Sequence, residues 1–573
     1  MSAKRTGEIL TDLLMKWNVD HIYGMPGDSI NELAEDLRKK EDEIKFIQIR
    51  HEETGALAAS AYAKLTGKLG VCFSIAGPGA IHLLNGLYDA KKDRVPVLAL
   101  VGQVKSDETG TEAFQEVDLQ NIFSDVAVYC EQAVSAAQLP DMLNMAIRRA
   151  YVNRGVSVLI VPDDLFAVKQ NNREPITAPE ITLPGSFPEQ QALMNSVQLV
   201  KEAKKTVILA GRGCTGASQE LLDFAEKIHA PIVVSLLGKG IIPDYHPLNL
   251  GQHGQIGTKP AYQAIMEADL LILVGTSFPY RDFLPKETKA IQIDILPERI
   301  GDLYPITEGL CGDAKKVLAA LNKMTEENKD TAFLEKYQEK MKKWHAQLEL
   351  DKQADSEPII GPQVMNALEG VMDDDAVISC DVGNVTVWTA RYLPFLHQKF
   401  AISGRLATMG CGLPGAIAGQ IAYPDKQVIG ICGDGGFSMT MHDFVTAVKY
   451  DLPVKIIVLN NSQIGMIKYE QEQLGHLHYQ TSLGEIDFAK FAESCGGDGY
   501  RVENIADLQS AIQQAFTSNK PAIVDVVIKD QAPLPGNITY DQAVHFGEFL
   551  VKEFFTNKKV EVPNVKKSLE RLL

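Results

Sequence analysis

The segment Gln427-Val-Ile-Gly-Ile-Cys-Gly-Asp-Gly-Gly-Phe437, a helical stretch, and then Leu452-Pro-Val-Lys-Ile-Ile-Val-Leu-Asn-Asn461 decide the fold. The first part is a short apolar run rich in β-branched residues, the pattern of a buried strand. It stops at Gly433-Asp434-Gly435-Gly436, where missing Cβ atoms let the backbone turn and approach a ligand. Phe437–Tyr450 mixes polar and apolar residues as a helix does. Pro453 opens a second apolar strand, which ends at Asn460-Asn461. One βαβ unit thus carries Asp434 and Asn461 at the C-terminal ends of two strands, where open α/β sheets bind ligands. A carboxylate and an amide oxygen suit a hard divalent cation such as magnesium, which commonly bridges to phosphates. Backbone N–H groups of the first strand–helix turn serve the same phosphates. A Gly-Asp-Gly alone signals little. With Asn461 placed 27 residues later, across a helix and a strand, the pair reads as a cation and diphosphate site. A tight turn and an unrelated strand-end Asn is the plainer alternative.

The same unit recurs near the other end of the chain. Val71–Ile75 reads as a strand, Gly77-Pro78-Gly79 as a turn and Ile81–Ala90 as a helix. Asp93-Arg-Val-Pro-Val97 then opens a strand ending at Gly102-Gln103. The glycine-to-proline spacing is 19 residues here (Gly77 to Pro96) and 20 there (Gly433 to Pro453). Two such units imply duplicated α/β domains. Only one copy has the metal-type Asp, so the other serves a shared site differently. Upstream, Thr6–Trp17 has amphipathic helical periodicity, and His21–Ile30 reads as a strand, a glycine turn and a helix capped near Asp28 or Ser29. Ile44–Ile49 is a strand with Arg50-His51-Glu52-Glu53 at its end, a group that alone reads equally well as a solvated strand terminus. Phe114-Gln115-Glu116, after the Gly/Thr-rich loop Glu108–Thr111, fits a loop that closes over a substrate carboxylate. It also fits a surface loop with a helix starting at Glu116.

The length of 573 residues implies three or four domains. A proline-rich linker over Val168–Pro188 separates 1–170 from 187–345. A charged helix and connector from about 333 lead to 363–530, and a tail occupies 531–573. The middle segment has strands at Lys205–Ala210, Pro231–Leu237, Leu270–Val274 and Ile291–Ile295. Strand-end glycines, Thr276 and Asp294 suit a nucleotide, although Gly211-Arg-Gly213 is not a full dinucleotide fingerprint. A purely connecting domain is the alternative. The net charge of −18, with no Lys/Arg block, argues against nucleic acid as a partner. Eight scattered cysteines without a C-x-x-C pair, no signal-type N-terminus and no membrane-length apolar run imply a reducing cytoplasm. In the tail, Ala543, Phe546, Gly547, Leu550, Val551 and Phe554 share one helical face, which fits docking on the protein or contact with a membrane surface.

Tyr23-Gly-Met-Pro-Gly-Asp-Ser29, Arg50-His-Glu-Glu53, Gly77-Pro-Gly79 and Asn85-Gly-Leu-Tyr-Asp89 form one set of segments. Phe114-Gln-Glu116, Gly275-Thr-Ser-Phe-Pro-Tyr280, Ile291-Gln-Ile-Asp294 and Gly433-Asp-Gly435…Asn460-Asn461 form another. Together they resemble the thiamine diphosphate (ThDP)-dependent family of pyruvate oxidases, acetolactate synthases and 2-oxo-acid decarboxylases, most nearly the bacterial pyruvate oxidases. The resemblance covers roughly residues 5–555. It implies three doubly wound parallel-sheet α/β domains: a first and a third that are duplicated ThDP-binding folds, and a middle one that binds FAD. Glu52 matches the glutamate that activates ThDP at its aminopyrimidine, favouring the imino tautomer that takes the proton from C2. Asp434, Asn461 and the Gln463 carbonyl match magnesium ligands. Met409 matches the residue that holds ThDP bent, a role suited to an adaptable thioether. Ala407, Thr408, Gly435, Gly436, Ser462, Ile464, Gly465, Met466 and Ile467 match the surrounding cofactor contacts. His253, Gly254, Gln255, Ile256, Thr276, Ser277, Phe278, Pro279, Tyr280 and Asp294 match FAD contacts. Phe114, Gln115, Met466 and Glu470 are the further catalytic candidates.

One position departs from the pattern. Pyruvate oxidases usually carry Phe where this chain has Met466, a position linked to electron transfer. Acetolactate synthases carry Met there but follow it with Gln-Trp, where this chain has Lys468-Tyr469. The resemblance thus implies oxidative decarboxylation of pyruvate, with electrons passing to FAD and then to a quinone or oxygen, giving acetate or acetyl phosphate. Acetolactate synthase with structural FAD, or a non-catalytic protein that kept the fold, are the alternatives. The family's sites lie between subunits, so a homodimer is minimal and a homotetramer is expected. The expected location is the cytoplasm, with peripheral contact to the inner face of the membrane left open by the tail.

Overall fold

Three six-stranded parallel sheets take up the apolar runs. The computed structural model describes residues 3–170, 186–254, 256–354, 356–531, 533, 545, 547–550 and 552–553. The first sheet is built from β1 (His21–Gly24), β2 (Lys45–Gln48), β3 (Gly70–Ser74), β4 (Val97–Gln103), β5 (Ala127–Gln132) and β6 (Val156–Pro162). The second has β7 (Thr206–Ala210), β8 (Ile232–Val234), β9 (Asn249–Gln252), β10 (Leu270–Val274), β11 (Lys289–Asp294) and β12 (Glu308–Cys311). The third has β13 (Val377–Cys380), β14 (Lys399–Ala401), β15 (Val428–Gly433), β16 (Lys455–Asn460), β17 (Asp498–Val502) and β18 (Ala522–Val527). Every residue of β4, β6 and β16 is buried, as parallel strands covered on both faces require.

Strand order tests the duplication. The first sheet runs β2-β1-β3-β4-β6-β5 and the third runs β14-β13-β15-β16-β18-β17, which is the same permutation. The middle sheet runs β9-β8-β7-β10-β11-β12. That is the doubly wound order whose reversal, between β7 and β10, opens a crevice for a dinucleotide.

Two small-residue helices join the outer domains. Helix α1 (Glu52–Thr66) and helix α2 (Gly412–Ala422) belong to one buried cluster that includes Ala56, Ala58, Ala61, Leu413 and Ala416. Short side chains allow this close approach. The buried Lys64 ammonium pairs with Asp89 at 2.5 Å and Asp93 at 2.7 Å and donates to the Ile402 carbonyl at 3.0 Å. Two buried carboxylates and a carbonyl thus compensate one buried cation, and removing any partner strands charge in the interior.

The structure departs from the sequence reading at helix breaks. Ile81–Ala90 belongs to two helices, Pro78–His82 and Leu84–Asp93, because the chain tightens at Leu83, whose N–H donates to the Ala80 carbonyl. The helix expected over Phe437–Tyr450 is split into α3 (Asp434–Thr440) and a second helix, Phe444–Lys449. At the break, the Asp443 carboxylate accepts the Arg50 N–H at 2.8 Å and the Thr446 hydroxyl at 2.7 Å. No helix starts at Glu116. Its carboxylate accepts from Ala113 N–H at 3.1 Å within the loop, and the next helix begins at Leu119. Among the described residues, no helix is long and apolar enough to cross a membrane.

Candidate active site

Asp434 begins α3 directly after β15, and its side chain is buried. Burial pushes its carboxyl up to about 6, against the pull of backbone N–H groups at Gly435, Asp434, Asn461 and Ser462. The strand ends of β15 and β16 therefore meet at this carboxylate. Asn461 Oδ1 accepts the Gln463 N–H at 3.3 Å, which draws the third expected ligand residue beside the second. A buried carboxyl that is costly to ionise unaided, beside an amide oxygen, fits a hard cation that supplies the missing positive charge. Gly435 leaves space where a Cβ would lie 3.1 Å from Leu483 and 3.3 Å from the Met409 terminal methyl, so Met409 projects over the turn. Gly436 is buried, Ser462 and Ala407 adopt left-handed φ of 53° and 56°, and Gly465 begins helix α4 (Gly465–Gln473).

Two residues here, at the end of the strand expected over Val377–Cys380, were not among the expected site residues. Asp381, fully buried after β13, accepts N–H groups from Val382 at 2.7 Å, Gly410 at 2.9 Å and Gly412 at 3.3 Å. It thereby sets the loop that carries Met409. Asn384 lies against Gly465, and its Oδ1 is buried without a partner among the described residues. The Gly383-Asn384 turn after a strand is the pattern that would have found it.

On the first domain, Glu52 opens α1 with its side chain 8% exposed. His82 Nδ1 is 3.0 Å from Glu52 Oε2, and the His51 and His82 rings stack at 4.2 Å. Gly77, at φ 62°, abuts Gln115. Gln115 is also left-handed, at φ 64°, and Phe114 is 86% exposed. The domains meet where Asn85 Nδ2 donates to Thr408 Oγ1 at 2.8 Å.

The middle domain supplies a cleft of about 550 Å³. It brings together His253, Ile256, Thr276, Ser277, Phe278, Pro279, Tyr280 and Asp294 of the expected flavin set with Ala407, Met466 and Glu470 of the third domain. Gly254 is not among its lining residues, and Gln255 lies outside the described residues. Gly213 and Gly275 interlock at the reversal between β7 and β10: Gly213 N–H donates to Gly275 O at 2.9 Å, and a Cβ on Gly213 would sit 2.6 Å from Gly275 Cα. Arg94, Arg154, Arg212, Arg299 and Arg405 line the same cleft. Arg212 Nη1, Arg299 Nη2, Thr276 Oγ1 and His253 Nδ1 are buried without partners among the described residues. Burial lowers the pKa values of Arg94, Arg212 and Arg405 and holds His253 at about 4. Unpaired donors and cations around a deep crevice fit a phosphate-bearing ligand such as FAD. Glu52, Asp434 and Asn461 do not line this cleft. Of the tail face, Gly547 and Leu550 lie among the described residues. Nearby, Lys552 donates to Gly475 O at 2.7 Å, and the Phe549 ring lies 5.1 Å from His478.

A duplicated pair of α/β domains with a cation turn on one and a buried glutamate on the other, flanking a dinucleotide-type domain, defines a thiamine diphosphate enzyme architecture. Family models agree. The thiamine pyrophosphate enzyme N-terminal TPP binding domain matches residues 4–122, the central domain matches 193–321, and the C-terminal TPP binding domain matches 381–526. The chain belongs to the thiamine pyrophosphate enzyme family. It is 52% identical, over the full length of both chains, to YdaP of Bacillus subtilis (strain 168), a protein named as thiamine pyrophosphate-containing. It is 38% identical to the pyruvate oxidase of Lactiplantibacillus plantarum, over 92% of this chain and 89% of that one. To the acetolactate synthase large subunit of Corynebacterium glutamicum it is 32% identical, over 91% and 86%.

Proposed function

We propose that this enzyme is a pyruvate oxidase. The observation that carries the reading is the cleft in which the expected flavin residues Thr276–Tyr280 and the third-domain residues Met466 and Glu470 form one wall system. An acceptor bound there would lie beside Met466 and Glu470 of the third domain. The relatives lean the same way: the pyruvate oxidase is 38% identical and the acetolactate synthases 31–34%.

Asp434, Asn461 and the Gln463 carbonyl would hold magnesium, and Met409 and the Gly435-Gly436 turn would hold the thiamine diphosphate that it binds. Glu52 holds a proton at the aminopyrimidine, where its buried position keeps water away. Gln115 orients the pyruvate carboxylate beneath the Phe114 loop, and Glu470 moves a proton at the carbonyl carbon's oxygen. Thiamine diphosphate, when bound, would supply the electron sink for loss of carbon dioxide, and FAD held by Thr276–Tyr280 and Asp294 would supply a two-electron acceptor. Carbon dioxide leaves, the acetyl group passes to water as acetate or to phosphate as acetyl phosphate, and the two electrons go on to a quinone or oxygen as the final acceptor. Relatives of this family build the site between subunits, so a second copy of the chain would complete it: a homodimer at least, assembled as a homotetramer. The tail contacts to Gly475 and His478 favour docking on the enzyme; deleting residues after Pro535 and measuring vesicle binding separates this from membrane contact.

Met466 favours a second reading, acetolactate synthase. Product analysis separates the two. Acetate or acetyl phosphate in step with acceptor reduction supports the oxidase, whereas acetoin after acid treatment, with no acceptor reduced, identifies the synthase.

A further inference from the structure

His51, Glu52 and His82 each offer one ligand atom within 4.8 Å of the other two. The His82 Nδ1 to Glu52 Oε2 separation is 3.0 Å, and the imidazole planes of His51 and His82 stack at 26°. The side chains are graded in exposure: Glu52 is 8% exposed, His51 35% and His82 42%, so the carboxylate forms the floor and the imidazoles the rim. The proposed reaction uses Glu52 alone and leaves the two imidazoles without a task.

We propose that His51, Glu52 and His82 form a binding site for a borderline-soft divalent cation of the zinc class in the cofactor-free enzyme. Two imidazoles and one carboxylate, with a solvent-filled fourth position, are a three-ligand zinc set. In a tetrahedral zinc site, bond lengths of about 2.0–2.2 Å put ligand atoms roughly 3.3 Å apart. The Glu52–His82 pair already stands near that spacing, and the His51 ligand atom lies within 4.8 Å of both. The cluster differs in kind from the site at Asp434, Asn461 and Gln463, which offers only oxygen and favours magnesium. The cation takes the Glu52 carboxylate, so zinc and thiamine diphosphate exclude each other. That exclusion, unlike the cation site itself, rests on the proposed role of Glu52.

The test uses the full-length chain, stripped of cofactor and divalent cations, returned to excess magnesium and titrated with zinc. Cobalt serves as a parallel probe because its visible bands report tetrahedral nitrogen and oxygen ligation. The expected result is one zinc per chain, with affinity lower by roughly tenfold or more in His51→Gln and in His82→Gln. Asp434→Asn should leave it unchanged. Circular dichroism establishes that each variant is folded. Equal zinc affinity in the wild type and the folded double variant His51→Gln/His82→Gln, or no zinc bound by the wild type at millimolar concentration, overturns the site. If the variants lose zinc while saturating thiamine diphosphate leaves the wild-type titration unchanged, the cation site stands and the proposed role of Glu52 fails.

Discussion

Gly79 is packed against Glu52: a Cβ on Gly79 would come within 2.8 Å of Glu52 Oε1. The glycine of the first-domain turn therefore shapes the space in which the carboxylate sits. Glu52→Gln should lower turnover by roughly 10²–10⁴-fold, the usual worth of a positioned acid–base group, with the thermal midpoint almost unchanged. Gly79→Ala should push the carboxylate aside and cost turnover without removing it, by roughly tenfold. Steady-state pyruvate consumption and thermal unfolding read both effects. Wild-type turnover in Glu52→Gln would remove that residue from the chemistry.

Asp434 and Asn461 meet through the backbone contacts around the buried Asp434 carboxyl. Dialysis against a chelator should release thiamine diphosphate, and magnesium should restore binding. Asp434→Ala should weaken cofactor affinity by at least about tenfold, the loss of one charged cation ligand. Equilibrium dialysis of the cofactor measures this; metal-independent binding would refute the assignment.

Gly275 adopts φ 53° with its neighbour Gly213 in backbone contact. Gly275→Ala should destabilise the middle domain by more than the about 1–2 kcal/mol that a left-handed backbone costs, because the new Cβ would lie 2.5 Å from Gly213 Cα, and should strip FAD from the purified protein. Arg212→Met should lower flavin content with a smaller loss of stability, because the unpaired Nη1 is one of the donors offered to the ligand. Flavin absorbance per chain distinguishes these variants.

The buried Asp381 carboxyl is pushed up to about 6, mainly by burial. An ordinary carboxyl in the unfolded chain titrates near 4. The folded state therefore holds this proton more tightly, and the stability it contributes is complete below about pH 4 and lost as pH rises through about 6. The effect is roughly 2–3 kcal/mol. Cofactor-free wild type should lose this much between pH 4.5 and 7 relative to Asp381→Asn in urea unfolding. Parallel pH profiles would contradict it.

The strands were legible because parallel strands buried on both faces are unbroken apolar runs, and the spacing of Gly77 to Pro96 against Gly433 to Pro453 disclosed a duplication that strand order bears out. Helix breaks were not. The one at Met441–Asp443 goes with an Asp443 bond to Arg50, 393 positions away, which no local pattern contains. The loops of the middle-domain cleft were partly legible through Gly275–Tyr280 and Asp294. The arginines were not, because Arg94, Arg154, Arg212, Arg299 and Arg405 converge from five separate segments and carry no shared motif. Arg94 reaches the cleft from a left-handed turn at φ 53°, a conformation its residue type does not announce.

In the proposed reaction, electrons from pyruvate reach a flavin beside Met466. The direct measurement is the visible spectrum of the enzyme, reconstituted with thiamine diphosphate, magnesium and FAD, on anaerobic addition of pyruvate. The flavin band should bleach as carbon dioxide is released. A flavin band that persists while pyruvate is consumed would contradict it.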